Sequence, residues 1–193
     1  MENKVSALFA ALLVMLLYTT SNAQSNSVIR PGLVSTQLTI SPSYQLNTKQ
    51  AYFYFHGSME IVVQPKLSWC GESYFYLGHL GNGNGLLDYN HSIFTGFSLH
   101  KIHNNSDCYL GVQPGIAITK LKATENAIPQ SHPGINPVTS LIAGYTLYTD
   151  YYFHFFIQSR LILGEHHFDK TQGLTELHLS AGLGFNLNTI RKK

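Results

Sequence analysis

The sequence predicts an all-β fold, an eight-stranded antiparallel up-and-down transmembrane β-barrel, and three observations predict it. The first is the closing stretch 174–188, LTELHLSAGLGFNLN. Thr175, Leu177, Leu179, Ala181, Leu183, Phe185 and Leu187 share one parity, and Glu176, His178, Ser180, Gly182, Gly184 and Asn186 share the other. Such two-residue alternation marks a strand with one apolar and one polar face, and a membrane-spanning strand needs about 9–11 residues of it. The second is that seven earlier stretches follow the same grammar, joined by connections that alternate between short and long. The third is that every apolar run beyond the N-terminal leader is too short for a membrane helix, so a membrane location requires a closed barrel.

With 193 residues the chain is long enough for one domain with a sizeable core. Charged residues make up 11% and the formal net charge is +2, so no basic surface points to nucleic acid. Lys4 begins a positive n-region, residues 7–17 form a short apolar h-region, and Ser21-Asn22-Ala23 is a small-residue exit. This predicts a signal peptide over 1–23, cleavage before Gln24 and a barrel domain over 24–193; a short N-terminal membrane helix is the alternative. No Cys follows the cleavage site, which argues against a lipoprotein. Cys70 and Cys108 fall on non-adjacent strands and opposite faces, so buried free thiols are expected rather than a disulfide.

The first strand spans 33–44, with Val34, Thr36, Leu38 and Ile40 alternating against Ser35, Gln37, Thr39 and Ser41. A polar loop over 46–50 leads to the second strand, 51–63, where Phe53, Phe55, Met59 and Ile61 oppose Tyr54, His56, Ser58 and Glu60. Gln64-Pro65 makes a tight turn because proline presets φ. The third strand, 66–77, sets Leu67, Trp69 and Phe75 against Lys66, Ser68, Cys70 and Glu72. The glycine-rich loop 78–90 lacks the Lys-Ser/Thr end of a phosphate loop and no helix follows it, so it reads as a surface loop. The fourth strand, 91–102, alternates Ile93, Thr95, Phe97 and Leu99 with Phe94, Gly96, Ser98 and His100. After an Asn-rich turn over 103–107, the fifth strand, 108–119, carries Leu110, Val112, Ile116 and Ile118 on one face; Pro114 within it suggests a bulge. The longest loop is 120–137. The sixth strand, 138–149, has its lipid face at Leu141, Ala143, Tyr145 and Leu147. A turn around Asp150 leads into the seventh, 151–164, where Phe153, Phe155, Ile157, Leu161 and Leu163 oppose His154, Phe156, Gln158 and Arg160. A polar loop, 165–173, precedes the last strand.

Short connections follow the second, fourth and sixth strands, and long ones the third, fifth and seventh, which is the pattern of periplasmic turns and outer loops. An eight-stranded interior is just wide enough for side chains to fill it. The parity places Glu60, Lys66, Glu72, Arg160 and Glu176 inside, with His56, His100, His154 and His178. Opposite charges there can pair, so a plugged polar lumen is expected instead of a wide pore. Tyr148, Tyr151 and Tyr152 cluster near a turn, as an aromatic girdle would.

The chain resembles the small outer-membrane β-barrel proteins of Bacteroidetes. The pieces that carry the resemblance are the leader ending Ala23-Gln24, Asn90-His91-Ser92-Ile93-Phe94, Leu110-Gly111-Val112-Gln113-Pro114-Gly115, Phe153-His154-Phe155-Phe156 and the closing Leu179-Ser180-Ala181-Gly182-Leu183-Gly184-Phe185-Asn186-Leu187. The resemblance spans most of the mature chain and implies fold and outer-membrane location, with outer-membrane lipid and the barrel assembly machinery as partners. It implies no activity and no cofactor. Many such barrels end on an aromatic residue read by the assembly machinery, whereas here a basic tail follows Phe185.

Glu176, His178 and Ser180 invite comparison with lipid A deacylases, which resemble this barrel and use a Ser and a His two residues apart. Those enzymes need the pair facing lipid, whereas the parity that puts Leu177 and Leu179 in lipid puts His178 and Ser180 in the lumen. His79, His132, His166, His167 and Asp169 lie in loops without a metal-binding spacing. The long loops 78–90 and 120–137 are the better candidates for an extracellular partner, because rigid scaffolds carry function on their loops. The sequence thus favours a non-enzymatic outer-membrane barrel with a structural or surface-binding role. The alternatives are a lipid-modifying enzyme on the same scaffold and a soluble lipocalin-like binder with its apolar face turned inward.

Overall fold

Every strand in a sheet needs two neighbours to satisfy its backbone, and closing the sheet on itself provides them. The computed structural model describes residues 28–80, 87–122, 132–149, 152–167 and 172–188. It contains β1 (Leu33–Gln45), β2 (Gln50–Gln64), β3 (Leu67–His79), β4 (Leu87–His103), β5 (Ser106–Leu121), β6 (Gly134–Tyr148), β7 (Phe153–His166), a two-residue β8 (Gln172–Gly173) and β9 (Glu176–Asn188). Each strand from β1 to β6 pairs antiparallel with its successor, β7 pairs with β9, and β9 returns to β1 through Val34↔Leu187, Thr36↔Phe185 and Ser43↔His178. Among the described residues β8 pairs with the end of β7, and the eight long strands form a closed antiparallel barrel.

The faces separate as the alternation requires. Leu38 is 63% exposed on the outside, with Phe97 and Ile157 at 57% and Phe185 at 53%, while Arg160, His56, Gln113 and Glu176 are 0% exposed inside. Apolar outside and ionisable inside is the reverse of a lipocalin-like binder. Two-residue turns, Pro65-Lys66 and Asn104-Asn105, lie at the rim that also holds both ends of the barrel. Asn104 takes φ 54°, a conformation that asparagine tolerates better than most residues.

The structure departs from the sequence expectations in several places. β4 begins at Leu87 and β6 at Gly134, so the two long loops are shorter than 78–90 and 120–137. Lys66 is exposed, because β3 starts at Leu67 and leaves Lys66 in the turn. Cys108 is exposed and only Cys70 is buried, since Cys108 shares the outward parity of Leu110 and Val112. Tyr148 is 4% exposed and points inward, so it is no part of a girdle; Tyr152, 64% exposed, faces outward. No register shift occurs at Pro114, which pairs with Thr139 on β6. The shifts lie instead at Phe53/Tyr54 and Val62/Gln64 on β2, and at Leu87/Tyr89 on β4. The leader 1–23 and its cleavage site, the loop centres 81–86 and 123–131, the turn at Asp150 and Tyr151, Asp169 and the tail 189–193 lie outside the described residues.

The thiol placement has a direct consequence. In the detergent-solubilised folded protein, a maleimide is expected to label Cys108 alone, and both thiols after denaturation. Mass spectrometry of the labelled chain counts the adducts.

Candidate functional site

Alternation points polar side chains of every long strand at a common axis, and the interior is where they meet. The central cluster forms around Glu72 of β3 and Arg160 of β7, which are ion-paired with side chains 3% and 0% exposed. Glu72 Oε2 accepts from His56 Nε2 at 3.0 Å and Gln158 Nε2 at 2.9 Å, and Oε1 accepts from Gln113 Nε2 at 3.1 Å. Arg160 donates through Nη1 to Ser140 Oγ at 2.6 Å and through Nη2 to Gln113 Oε1 at 3.0 Å. Its guanidinium also lies 4.7 Å from the centre of the Phe94 ring and 5.4 Å from that of Tyr74. Six strands thus meet around one ion pair, and the partners on both carboxylate oxygens and both terminal guanidinium nitrogens reduce the cost of removing the charges from water.

Nearer the long-connection rim, Glu176 accepts from Asn90 Nδ2 at 3.0 Å and Tyr54 Oη at 3.2 Å on one oxygen. Its other oxygen accepts from His178 Nε2 at 3.0 Å and Ser43 Oγ at 3.3 Å. Ser180 donates instead to Ser41 Oγ at 2.9 Å. The Glu176, His178 and Ser180 of the closing strand therefore do not form a relay, because the histidine Nε2 that would activate a serine is turned to Glu176. His154 sits toward the other rim, with Nδ1 donating to Asn186 Oδ1 at 2.8 Å and Nε2 accepting from Gln37 at 3.2 Å.

A third cluster contains a constellation that sequence reasoning missed. Ser68 Oγ is 2.7 Å from His100 Nε2, and His100 Nδ1 is 2.6 Å from Asp107 Oδ2. These are the contacts of a Ser-His-Asp relay. Glu60, however, lies 3.0 Å from the same Nε2 and accepts the Ser68 hydroxyl proton. With a carboxylate at each ring nitrogen the imidazole acts as a donor on both sides, and no lone pair remains to take a proton from Ser68. Ser68 is also 0% exposed. The chemistry of this arrangement is a clamp joining β2, β3, β4 and β5. The signal that locates it in sequence is the proximity of His100 and Asp107 across a two-residue hairpin turn.

Apolar clusters pack toward both ends. Tyr52, Tyr54, Tyr74, Leu87, Phe94, Leu121, Val138, Ile162 and Leu174 form a buried cluster reaching the long-connection rim. At the opposite rim Ile29 packs with Leu33, Val62 and Tyr148, so the segment before β1 crosses the mouth. Buried polar groups accompany these clusters toward both rims, Asn90, Thr119 and His166 at one and Ser35, His154 and Asn186 at the other. Of the histidines expected in loops, His166 ends β7 and is buried, 2.6 Å from Thr119 Oγ1, whereas His79, His132 and His167 are exposed. Among the described residues no group of His, Cys, Asp and Glu is arranged to hold a metal ion.

No protein-family model and no curated protein matches the sequence. Among solved structures, the barrel is similar to Neisserial surface protein A, at 11% identity over 79% of this chain and 95% of that one, with a TM-score of 0.62. It is similar to the N-terminal β-barrel domain of Pseudomonas aeruginosa OprF, at 10% identity over 81% and 98% of the two chains, with a TM-score of 0.57. It is also similar to Ail, the attachment invasion locus protein of Yersinia pestis, at 14% identity over 81% and 99%, with a TM-score of 0.50. Identity this low speaks for architecture, and the architecture is that of the small eight-stranded outer-membrane β-barrels.

Proposed function

We propose that the chain is an integral outer-membrane β-barrel whose lumen is closed and whose role is structural or surface-binding, through the connections after β3 and β5. The observation that carries this reading is the inversion of the two faces: an apolar exterior around an interior of ion pairs. Such a surface is stable only against lipid, and in water it would be an aggregation hazard. What supports the closed lumen is that buried ion pairs fill the described interior and apolar clusters sit toward both ends of it. The clamp at His100 and the turned-away His178 support a role without catalysis. Outer-membrane lipid and the barrel assembly machinery are the partners this reading requires, and the leader 1–23 is the export signal it requires. An extracellular partner would meet the protein at loops 78–90 and 120–137.

Membrane fractionation followed by electrophoresis with and without boiling tests the reading. The expected result is recovery in the outer-membrane fraction with a heat-dependent mobility shift, and no stepwise conductance in planar bilayers. Recovery in the soluble periplasm would overturn the membrane assignment, and stepwise conductance would overturn the closed lumen.

A further inference from the structure

The barrel wall is not paired to the same height all the way round. β2 and β3 stay paired up to Tyr52↔His79, and β4 and β5 up to Leu87↔Leu121. Between them the β3–β4 register runs from Leu67↔Leu99 to Tyr74↔Ser92 and, among the described residues, stops there. Residues 75–79 and 87–91 therefore face each other across a seam at the long-connection rim. The register shifts at Phe53/Tyr54 and Leu87/Tyr89 flank it, and bulges bend the strands that carry them.

One side chain bridges the seam. The backbone N–H of Tyr76 donates to His91 Nδ1 at 3.1 Å. The His91 ring is held in place by Tyr89, stacked at 5.2 Å and 13°, and by Phe75 at 5.8 Å. A backbone amide is always a donor, so Nδ1 must be the unprotonated nitrogen and the ring proton must sit on Nε2.

We propose that His91 is a proton-operated latch on the barrel wall. The neutral imidazole ties β3 to β4 above Tyr74. When Nδ1 takes a proton from the medium, the acceptor is lost and two N–H groups face each other, so the ring leaves the seam. The ionisable side chains on the elements around it are Tyr76 and His79 of β3, Asp88 and Tyr89 of β4, and Lys120 of β5. Lys120 is paired with Asp88 at 3.1 Å, which leaves no net charge from that pair beside the ring. The Tyr76 amide is then open on the β4 side, while residues 75–79 keep their pairing with β2 on the other. Behind it lies the aromatic cluster, with the rings of Tyr76 and Tyr52 5.7 Å apart.

Amide hydrogen exchange in the folded full-length protein, in detergent micelles, tests the latch. Rates are read at about pH 7.5 and about pH 4, the lower value well clear of the ordinary histidine range, and corrected for intrinsic exchange. In the wild type, the protection of the Tyr76 amide is expected to fall about tenfold at the lower pH, the worth of one backbone hydrogen bond. Tyr74, paired below the seam, is expected to keep its protection and so report an intact barrel. His91→Gln keeps an acceptor that does not titrate, and Tyr76 should then be protected equally at both values. His91→Arg should leave Tyr76 unprotected at both. Equal protection in the wild type at both values, or a loss in His91→Gln that matches the wild type, would overturn the proposal.

Discussion

Arg160→Met is expected to destabilise the barrel by about 3–5 kcal/mol, the cost of leaving one buried charge without its partner. Glu72 would remain 3% exposed with His56, Gln113 and Gln158 as its donors and no cation opposite. Native proteins in general have stabilities of about 5–15 kcal/mol, so a loss of this size is a large fraction of the margin. Urea titration of the protein folded into lipid vesicles, read by the heat-dependent gel shift, measures it. The companion variant Glu72→Gln/Arg160→Met removes both charges and keeps the volume nearly constant. It is expected to recover most of the loss, because replacing both members of a buried pair is often neutral. A double variant as unstable as the single one would show that Arg160 acts through its contacts with Ser140, Phe94 and Tyr74 and not through its charge.

Leu38→Arg is the second large effect. Leu38 is 63% exposed and lies midway along β1, with Thr36 and Ile40 beside it on the same face. In a protein surrounded by water, a charge at so exposed a position changes stability by no more than about 0.5 kcal/mol. On the lipid face at the bilayer midplane it costs about 2–4 kcal/mol. Leu187→Arg, 59% exposed and next to the end of β9, serves as the depth control and is expected to cost no more than about 1 kcal/mol. Vesicle unfolding of the two variants gives the difference. Equal, near-zero costs at both positions would mean that water and not lipid surrounds the barrel.

Much of the fold was legible because a strand reports its two faces locally. Leu177, Leu179 and Phe185 against Glu176, His178 and Asn186 is a statement about one strand that needs no partner to be read. Counting the stretches and comparing the connections between them extended it to a closed ring. Boundaries were less legible where a strand continues beyond its neighbours, as β4 does at Leu87 and β6 at Gly134. There the pairing partner, and not the residue's own propensity, holds the backbone extended. Pro114 shows the same limit from the other side: it pairs with Thr139 on β6 without a register shift, while on the β4 side the ladder lapses between Phe94↔Gly115 and Phe97↔Val112.

Within the strands, the sequence by itself determined which residues turn inward, because parity depends only on the spacing along one strand; Lys66 escapes the rule because it lies in a turn. Glu72 and Arg160, Glu60 and His100, Glu176 and His178 are assigned to one face by that rule alone. Only the tertiary structure decided which of them meet. Glu72 and Arg160 are 88 positions apart along the chain numbering and come from strands on different parts of the ring. Their contact depends on the stagger between all the strands in between, and a shift of register in any one of them would move it. The same holds for the clamp of Ser68, His100, Asp107 and Glu60, and for the seam at His91. Both depend on where a ladder stops, and that is a property of two strands at once.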